Sequence, residues 1–214
     1  MLDRLYRQHP NAFTELAFRT PFELLVATVL SAQSTDRRVN EVTPKLFEAF
    51  PTVASLARAP VAELEALVKP TGFFRAKSRT LVSLATMLME EYGGQVPGTL
   101  DQLVQLPGVG RKTANVVLGH AFGVPGLPVD RHVLRVANRL GVAHAETPEH
   151  VEAQLMRVIP DDQWTLASDT LILHGRRVCR PTPQCERCAA RELCAFVRQA
   201  RHTPRTARPR GRTS

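Results

Sequence analysis

Residues 99–118 constrain the fold more than any other part of the chain, because they predict two short helices joined by a very tight turn. Thr99 followed by Gln102 has the spacing of a capping box, which predicts that the first helix begins there. The turn Pro-Gly-Val-Gly at residues 107–110 ends this helix, and its two glycines permit positive φ values. A second helix is predicted from Arg111. The whole is a helix–hairpin–helix, whose amides at a helix N-terminus favour an anion such as a phosphate.

Lys112 lies in the first turn of this second helix, where the partial positive charge of the helix N-terminus disfavours an ammonium group. The placement therefore favours the free amine, which a nucleophilic lysine needs. Composition supports this, because only four of the 28 basic residues are lysines, and arginine would serve if charge alone mattered. The alternative, equally open from these residues, is that Lys112 only contacts a phosphate. The other lysines, Lys45, Lys69 and Lys77, are expected to be dispensable for such chemistry.

The turn and the segment after it resemble the active site of one enzyme family. The matching runs are Leu106-Pro107-Gly108-Val109-Gly110-Arg111-Lys112-Thr113-Ala114 and Val129-Asp130-Arg131-His132. The family is the endonuclease III family of DNA glycosylase/AP lyases, in the helix–hairpin–helix superfamily, and the resemblance covers roughly residues 14–195. It implies that Lys112 is the nucleophile that forms a Schiff base and that Asp130 is the catalytic carboxylate. It also implies DNA contacts by Gln33, Phe73, Leu106, Gly108, Val109, Gly110, Arg111 and Thr113.

Gln33 and Phe73 receive specific roles from the same resemblance. A glycosylase must flip a nucleotide out of the duplex and fill the gap that remains. The resemblance implies that Gln33 enters this gap and contacts the orphaned base, and that Phe73 takes the position of the family's apolar wedge, often a leucine. Without the family, the residues themselves favour a hydrogen bond at a helix terminus for Gln33 and core packing with Phe74 for Phe73.

The chemistry that the resemblance implies is the removal of oxidised or ring-saturated pyrimidines in base excision repair. Lys112 attacks C1′ of the damaged nucleoside, expels the base and forms a Schiff base, and β-elimination then nicks the strand 3′ to the lesion. Asp130 either accepts the lysine proton or stabilises positive charge on the sugar, and the sequence leaves both roles open. His132 and His174 are interpreted as structural.

Two other functions stay open on the residues alone. A monofunctional mismatch glycosylase of the same superfamily would lack the nucleophilic lysine, so Lys112 argues against it, as does the missing C-terminal recognition domain. A non-catalytic iron–sulfur DNA-binding module would suit the hairpin and the cysteines equally well. Only the pair of Lys112 and Asp130 argues against this second alternative.

The four cysteines of the chain lie within sixteen residues in the pattern C-x5-C-x2-C-x5-C. They are Cys179, Cys185, Cys188 and Cys194. This clustering predicts one compact tetrathiolate site, which suits a 4Fe–4S cluster or zinc, with disulfides as a third alternative. The resemblance implies a structural 4Fe–4S cluster, although the family's first spacing is one residue longer than here. Arg180, Arg187 and Arg191 lie among the cysteines and either face a phosphate backbone or form a solvated basic loop.

The rest of the chain favours an all-α fold, because apolar residues recur at helical spacing and no convincing alternating strand pattern appears. Helix starts are predicted at Thr20, Thr35 and Thr147, each a residue type that caps helices. Further helices are expected over residues 2–16, with a break near Pro10, and from about Ala76 to Tyr92. By resemblance, the fold has two lobes with the DNA cleft between them. The expected domains are a six-helix barrel with the helix–hairpin–helix over 18–125, an iron–sulfur domain over 1–17 and 126–197, and a tail over 198–214.

The net charge of +8 suits a polyanionic partner. Part of this charge lies between Arg198 and Ser214, where six arginines without an acidic residue predict a disordered basic tail that attracts DNA weakly or is only solvated. The N-terminal residues 1–7 lack the apolar core of a signal peptide, and no apolar run is long enough to span a membrane. We therefore expect a cytoplasmic, nucleoid-associated monomer that binds damaged double-stranded DNA without a membrane or an obligate protein partner.

Overall fold

The computed structural model describes the backbone of residues 1–202 and the side chains of residues 1–200. No strand occurs in this part of the chain, which confirms the predicted all-α class. None of its helices is both long enough and apolar enough to cross a membrane. The α-helices are α1 (Leu2–Gln8), α2 (Pro21–Leu30), α3 (Asp36–Ala49), α4 (Val53–Ala57), α5 (Val61–Val68), α6 (Phe74–Tyr92), α7 (Leu100–Leu103), α8 (Arg111–Val117), α9 (Arg131–Leu140), α10 (Pro148–Met156), α11 (Trp164–Arg177) and α12 (Ala195–His202). Short 3-10 turns occur at Lys69–Thr71, Asp161–Gln163, Cys185–Arg187 and Arg191–Leu193, and a π-helical segment, Leu118–Phe122, continues α8.

α2 is the central helix of the first of two hydrophobic cores. Its predicted cap, Thr20, accepts a hydrogen bond from the backbone N–H of Glu23 at 3.2 Å. Every residue from Phe22 to Leu30 is buried, which requires neighbours on all sides of the helix. α3, α6 and α8 supply these neighbours, and α6 contributes fully buried leucines such as Leu81 and Leu88. The first core therefore supports the helix whose C-terminal end leads to Gln33.

The second hydrophobic core joins the N-terminal helix to the C-terminal third of the chain. Leu5 of α1 is fully buried in it, in one cluster with residues of α9, α10 and α11. Four apolar residues of α9 recur at helical spacing and all are buried there. They are Val133, Val136, Ala137 and Leu140. The first core draws on residues 16–118 and the second on Leu5 and residues 127–194, while the exact domain limits stay a prediction.

Polar side chains join the two cores. Glu152 of α10 is buried and accepts hydrogen bonds from the guanidinium of Arg111 at 2.8 and 2.9 Å. Its carboxylate also accepts a hydrogen bond from the side-chain amide of Asn115 at 3.1 Å. His120, in the π-helical segment, lies 2.9 Å from Asp169 of α11. These contacts hold α8 and its extension, which belong to the first core, against helices of the second.

The prediction of a helix over residues 2–16 is wrong beyond Pro10, because α1 ends at Gln8. Asn40 of α3 explains why the following segment need not be helical. Its side chain donates to the backbone carbonyl of Glu15 at 2.8 Å and accepts from the N–H of Ala17 at 2.9 Å. Backbone groups that a helix would pair are thus satisfied by a side chain from another element.

Two further differences concern helix ends. α6 begins at Phe74, two residues before the predicted start at Ala76. At the C-terminus, α12 covers Ala195–His202, so the predicted disordered tail is wrong in its first residues, from Arg198. Apolar residues of α12 explain this helix, because Val197 packs against the second core. The remainder of the predicted tail, residues 203–214, lies outside the described residues.

Candidate active site

The hairpin of the helix–hairpin–helix depends on one glycine rather than two. Gly108 has φ +76°, and a Cβ atom there would lie 2.4 Å from Cγ2 of Thr80, so only glycine fits. Gly110 has φ −89° and serves as the N-cap residue of α8, with nothing within 4 Å of an added Cβ. Of the two glycines that permit positive φ values, only Gly108 therefore uses this freedom. Its neighbour Arg111 begins α8, as predicted.

The hairpin buries its apolar side chains, so a ligand at this turn would meet mainly backbone groups. Leu106 and Val109 are only 2% and 5% exposed and pack in the first core. The N–H of Val109 donates to the carbonyl of Leu106 at 3.0 Å and closes the turn. Before the hairpin, Thr99 caps α7, but its hydroxyl donates to the side-chain oxygen of Gln102 at 2.7 Å. The reciprocal bond of the predicted capping box is therefore not formed.

Lys112 and Asp130 line one cleft between the two cores. Lys112 is exposed in the first turn of α8, and Asp130 is the residue immediately before α9. The cleft has a volume of about 1070 Å³. Its lining includes Thr28, Ser31, Gln33, Gly72, Lys112 and Thr113 from the side of the first core, and Asp130, Arg131, His132 and Arg176 from the side of the second. The structure thus brings the two predicted catalytic residues, 18 positions apart in the chain, into one cavity.

Asp130 is also the N-cap of α9. Its Oδ1 accepts hydrogen bonds from the N–H groups of His132 at 2.7 Å and Val133 at 2.9 Å. Oδ2 has no hydrogen-bond partner among residues 1–200. The carboxylate is therefore fixed in orientation by one oxygen, while the other remains available to a ligand in the cleft. Sequence reasoning missed this cap, although an aspartate directly before a predicted helix is a recognised signal for one.

Gln33 and Phe73 are the two non-glycine residues with positive φ in the described part of the chain, at +53° and +47°. For a bulky side chain this left-handed conformation is rare and costs on the order of 1–3 kcal/mol. Phe73 is 66% exposed, so the alternative of core packing with Phe74 is wrong. Gln33 is exposed and makes no side-chain hydrogen bond within residues 1–200, so its alternative role at a helix terminus is not observed either.

Strained, exposed side chains of this kind cluster at functional sites, where the surrounding structure imposes the conformation. Gln33 lies on the wall of the cleft that holds Lys112 and Asp130, and so does Gly72, the residue before Phe73. Two exposed side chains on unusual backbone therefore flank the predicted catalytic pair. Nothing in a local sequence pattern would have indicated their backbone conformation.

The guanidinium of Arg111 is paired with a carboxylate of the protein itself. Both of its hydrogen bonds to Glu152 join α8 to α10, as described above. Its guanidinium is half exposed, but the fork of donors that would hold a phosphate is directed at a carboxylate. Nε and Nη2 of Arg111 are therefore already paired within the protein, and its contact with DNA stays a prediction. Thr113, by contrast, is partly exposed and lines the cleft beside Lys112.

The four cysteines line one pocket, together with Arg139 and His174, and all four are free thiols. The predicted compact thiolate site is thus present as a grouping of side chains. No group of three or more His, Cys, Asp or Glu side chains in residues 1–200 is arranged to hold a metal ion.

The shortened loop after Cys179 is held from α9. The guanidinium of Arg139 donates to the carbonyls of Arg180 at 2.6 Å and Pro181 at 2.8 Å, and it lies 3.6 Å from the sulfur of Cys179. Arg135, one turn earlier, donates to the carbonyl of Cys179 at 3.2 Å. Two arginines thus fix the shape of a loop that is one residue shorter than the family pattern.

His174 and His132 have packing partners that fit a structural role. His174 is 1% exposed, with Nδ1 3.0 Å from the ring of His9 and Nε2 3.5 Å from the sulfur of Cys188. Burial and the neighbouring His9 lower the pKa of His174 to about 4. Burial also lowers the pKa of His132, whose Nδ1 lies 3.2 Å from the guanidinium of Arg135.

A helix–hairpin–helix beside a polar cleft between two helical lobes is the architecture of a class of DNA repair proteins. Residues 26–161 match the family model of the HhH-GPD superfamily of base excision DNA repair proteins. The chain is 46% identical over 192 residues to endonuclease III of Synechocystis sp., covering 89% of this chain and 88% of that protein. It is 41% identical over 197 residues to endonuclease III of Escherichia coli K12, covering 92% and 93%. The chain belongs to the endonuclease III family.

Solved structures give the same result. The fold matches that of a trapped endonuclease III–DNA covalent intermediate with a TM-score of 0.89 and 44% identity, covering 94% of this chain and 95% of that one. A thermostable thymine-DNA glycosylase has the same fold with a TM-score of 0.82 and 22% identity, covering 92% and 95%. The second match shows a shared fold alone.

Proposed function

We propose that this protein is a bifunctional DNA glycosylase and AP lyase that removes oxidised pyrimidines from double-stranded DNA through a Schiff base on Lys112. The observation that carries the proposal is the shared cleft, where Lys112 and Asp130 lie together beside exposed Gln33 and the loop of Phe73. Membership of the endonuclease III family supports the same activity. The protein acts in base excision repair, and we place it in the cytoplasm, on the nucleoid.

In the proposed reaction, the Nζ of Lys112 attacks C1′ of the damaged nucleoside. The bond from C1′ to the base breaks, and the base leaves with a proton. Opening of the sugar gives an imine between C1′ and Nζ, after which loss of a C2′ proton expels the 3′ phosphate by β-elimination. Lys112 is exposed in the first turn of α8, so its Nζ is accessible to a nucleotide that enters the cleft.

Asp130 has two roles that its geometry supports. Because two backbone N–H groups hold Oδ1, the carboxylate cannot rotate freely, and Oδ2 stays directed by the cap of α9. A fixed carboxylate in the cleft stabilises the positive charge that develops on the sugar as the base leaves. It is also available to accept the proton of Lys112 before the attack.

DNA binding divides between backbone and side chains. The amides of the hairpin, near Gly108 and Gly110, bind a phosphate at the N-terminus of α8. Gln33 and Phe73 enter the duplex where the nucleotide has flipped, with Gln33 opposite the orphaned base and Phe73 stacked against its neighbours. Their exposure and their fixed left-handed backbone support this assignment.

The four cysteines hold a structural 4Fe–4S cluster in our proposal. The donor set fits, because such a cluster takes one thiolate at each of its four irons and the four cysteines line one pocket. When bound, such a cluster would cross-link the loop between Cys179 and Cys194. Protein purified without oxygen should be yellow-brown with about four irons per chain. A colourless preparation with one zinc per chain would contradict the cluster.

The activity is tested with duplexes that carry one thymine glycol or one G·T mismatch. The proposal expects base release and strand cleavage at thymine glycol, and a borohydride-trapped adduct on the same strand. Base release at the mismatch without cleavage or adduct would instead support a monofunctional mismatch glycosylase. Binding of both duplexes without base release from either would support a non-catalytic DNA-binding module.

A further inference from the structure

Lys77 is a buried cation without a carboxylate partner in the described residues. It lies on α6 and is only 6% exposed. Its ammonium donates to the carbonyl of Leu30 at 2.8 Å and to the carbonyl of Thr71 at 2.8 Å. Burial lowers the pKa of Lys77, as expected for an ammonium removed from water. A buried ammonium is costly in free energy, so a leucine or methionine would serve better if the position only filled the core.

The two carbonyls come from the ends of two separate helical elements. Leu30 is the last residue of α2, three positions before Gln33. Thr71 is the last residue of the 3-10 turn Lys69–Thr71, two positions before Phe73. Carbonyls at helix ends lack partners within the helix and carry partial negative charge, which suits a cation. The lysine therefore bridges the two loops that carry the left-handed residues.

The backbone of Lys77 adds a second link to the same loop. Its N–H donates to the carbonyl of Phe73 at 3.0 Å, in the first turn of α6. Lys77 therefore contacts this loop at two points. Its backbone N–H binds the carbonyl of Phe73, and its ammonium binds the carbonyl of Thr71. Most basic residues of this chain are arginines. At position 77, however, a planar guanidinium could not take the place of a compact ammonium between two converging carbonyls.

We propose that Lys77 is a positioning residue that holds the loops of Gln33 and Phe73 at a fixed separation, so that both side chains enter the DNA together. The inference rests on the proposed function, because it assumes that these two residues fill the gap left by the flipped nucleotide. It also revises the expectation that Lys77 is as dispensable as the exposed lysines. Its effect should appear only where a gap in a duplex must be filled.

The first test uses Lys77→Met, which keeps a long side chain but removes the donors, with Lys69→Met as the matched control. Lys69 is exposed in the turn that contains Thr71. Single-turnover cleavage of a thymine glycol duplex should slow about 10–100-fold for Lys77→Met, since small misplacements of positioning groups have effects of this size. Borohydride trapping on a single-stranded abasic site, where no gap exists, should be unchanged. Equal losses on both substrates would overturn the proposal.

A double-mutant cycle connects Lys77 to the loop on which it should act. If Lys77 works through Phe73, the loss from Lys77→Met should largely disappear in a Phe73→Ala background. Fully additive losses would contradict the proposal. If wild-type protein forms no adduct, or Phe73→Ala cleaves duplexes normally, the proposed function or the wedge assignment has failed instead.

Hydrogen exchange gives a readout that does not depend on activity. Lys77→Gln is the variant for this measurement, because it retains some hydrogen-bonding capacity if Lys77→Met does not fold. Amide exchange should accelerate in residues 31–35 and 70–73 together, with little change in the centre of α2. Unchanged exchange in both loops, or uniform acceleration across the protein, would contradict a positioning role.

Discussion

The hairpin and the two loops that carry Gln33 and Phe73 serve one proposed DNA site but expose opposite parts of the chain. The hairpin buries its side chains, Leu106 and Val109, and presents backbone amides. The loops expose their side chains and hold them on a strained backbone. Amides can bind any phosphate, whereas inserted side chains respond to a disturbed base stack. We infer that affinity for DNA and recognition of damage are divided between the two regions.

Among the variants that test this comparison, Gly108→Ala is expected to change the free energy of unfolding most. The added Cβ would meet Thr80 at 2.4 Å, and φ +76° is strained for alanine. The free energy of unfolding should fall by about 2–4 kcal/mol, as judged from overpacking and left-handed strain together. Urea unfolding measures the change. Gly110→Ala is the matched control and should cost less than about 1 kcal/mol, because its φ is −89° and the site is open. Similar losses at both glycines would contradict the single-glycine hairpin.

A smaller effect of the opposite sign is expected in the loops. Phe73→Gly should leave the free energy of unfolding unchanged or raise it by up to about 1 kcal/mol, because glycine relieves the left-handed strain. Single-turnover cleavage of a lesion duplex should nevertheless slow, since the wedge is lost. Thermal unfolding and rapid-quench kinetics on one preparation measure both quantities. A loss of stability comparable with that of Gly108→Ala would show that Phe73 supports the fold instead.

The smallest effect concerns the junction between the π-helical segment that continues α8 and the helix α11. Nδ1 and Nε2 of His120 lie 2.9 Å from the carbonyl of Val116 and 2.9 Å from Asp169. Burial lowers the pKa of His120, but the hydrogen bond and charge of Asp169 outweigh it, so the net pKa is raised. The stabilisation is then fully present below about pH 6.5 and is lost as the pH rises through the higher pKa of the folded state.

Urea unfolding across this pH range should therefore show a decline in stability that His120→Asn reduces. His144→Asn is the control, because His144 is exposed. If the free energy of unfolding depended on pH in the same way in wild-type protein and in the His120 variant, a charged pair between the two cores would be contradicted.

Local chemistry explains which features the sequence predicted. The caps at Thr20, Thr35 and Thr147 each accept a hydrogen bond from a residue three positions away, and all three helix starts were correctly predicted. The left-handed residues Gln33 and Phe73 lie in two loops that Lys77 joins through the carbonyl of Leu30, 47 positions away, and no local pattern indicates this contact. For the same reason the junction of His120 with Asp169, 49 positions away, was missed.

The catalytic assignment lies between these cases. The motif around Lys112 and Asp130 indicated the family, and the structure places both residues in one cleft. The capping role of Asp130 was locally predictable but was missed. The internal pairing of Arg111 with Glu152, 41 positions away, was not predictable from the motif. A motif thus names candidate residues, whereas tertiary contacts decide which atoms of each residue are free to act.

The central claim is that the amine of Lys112 forms the covalent bond to DNA, and borohydride trapping of Lys112→Gln tests it most directly. Glutamine keeps a long polar side chain in the first turn of α8 but removes the nucleophile. The variant should fold, bind lesion duplexes and form no adduct, while Lys45→Gln and Lys69→Gln should trap as well as wild-type protein. Full trapping by Lys112→Gln would contradict the account and leave Lys112 as a phosphate contact.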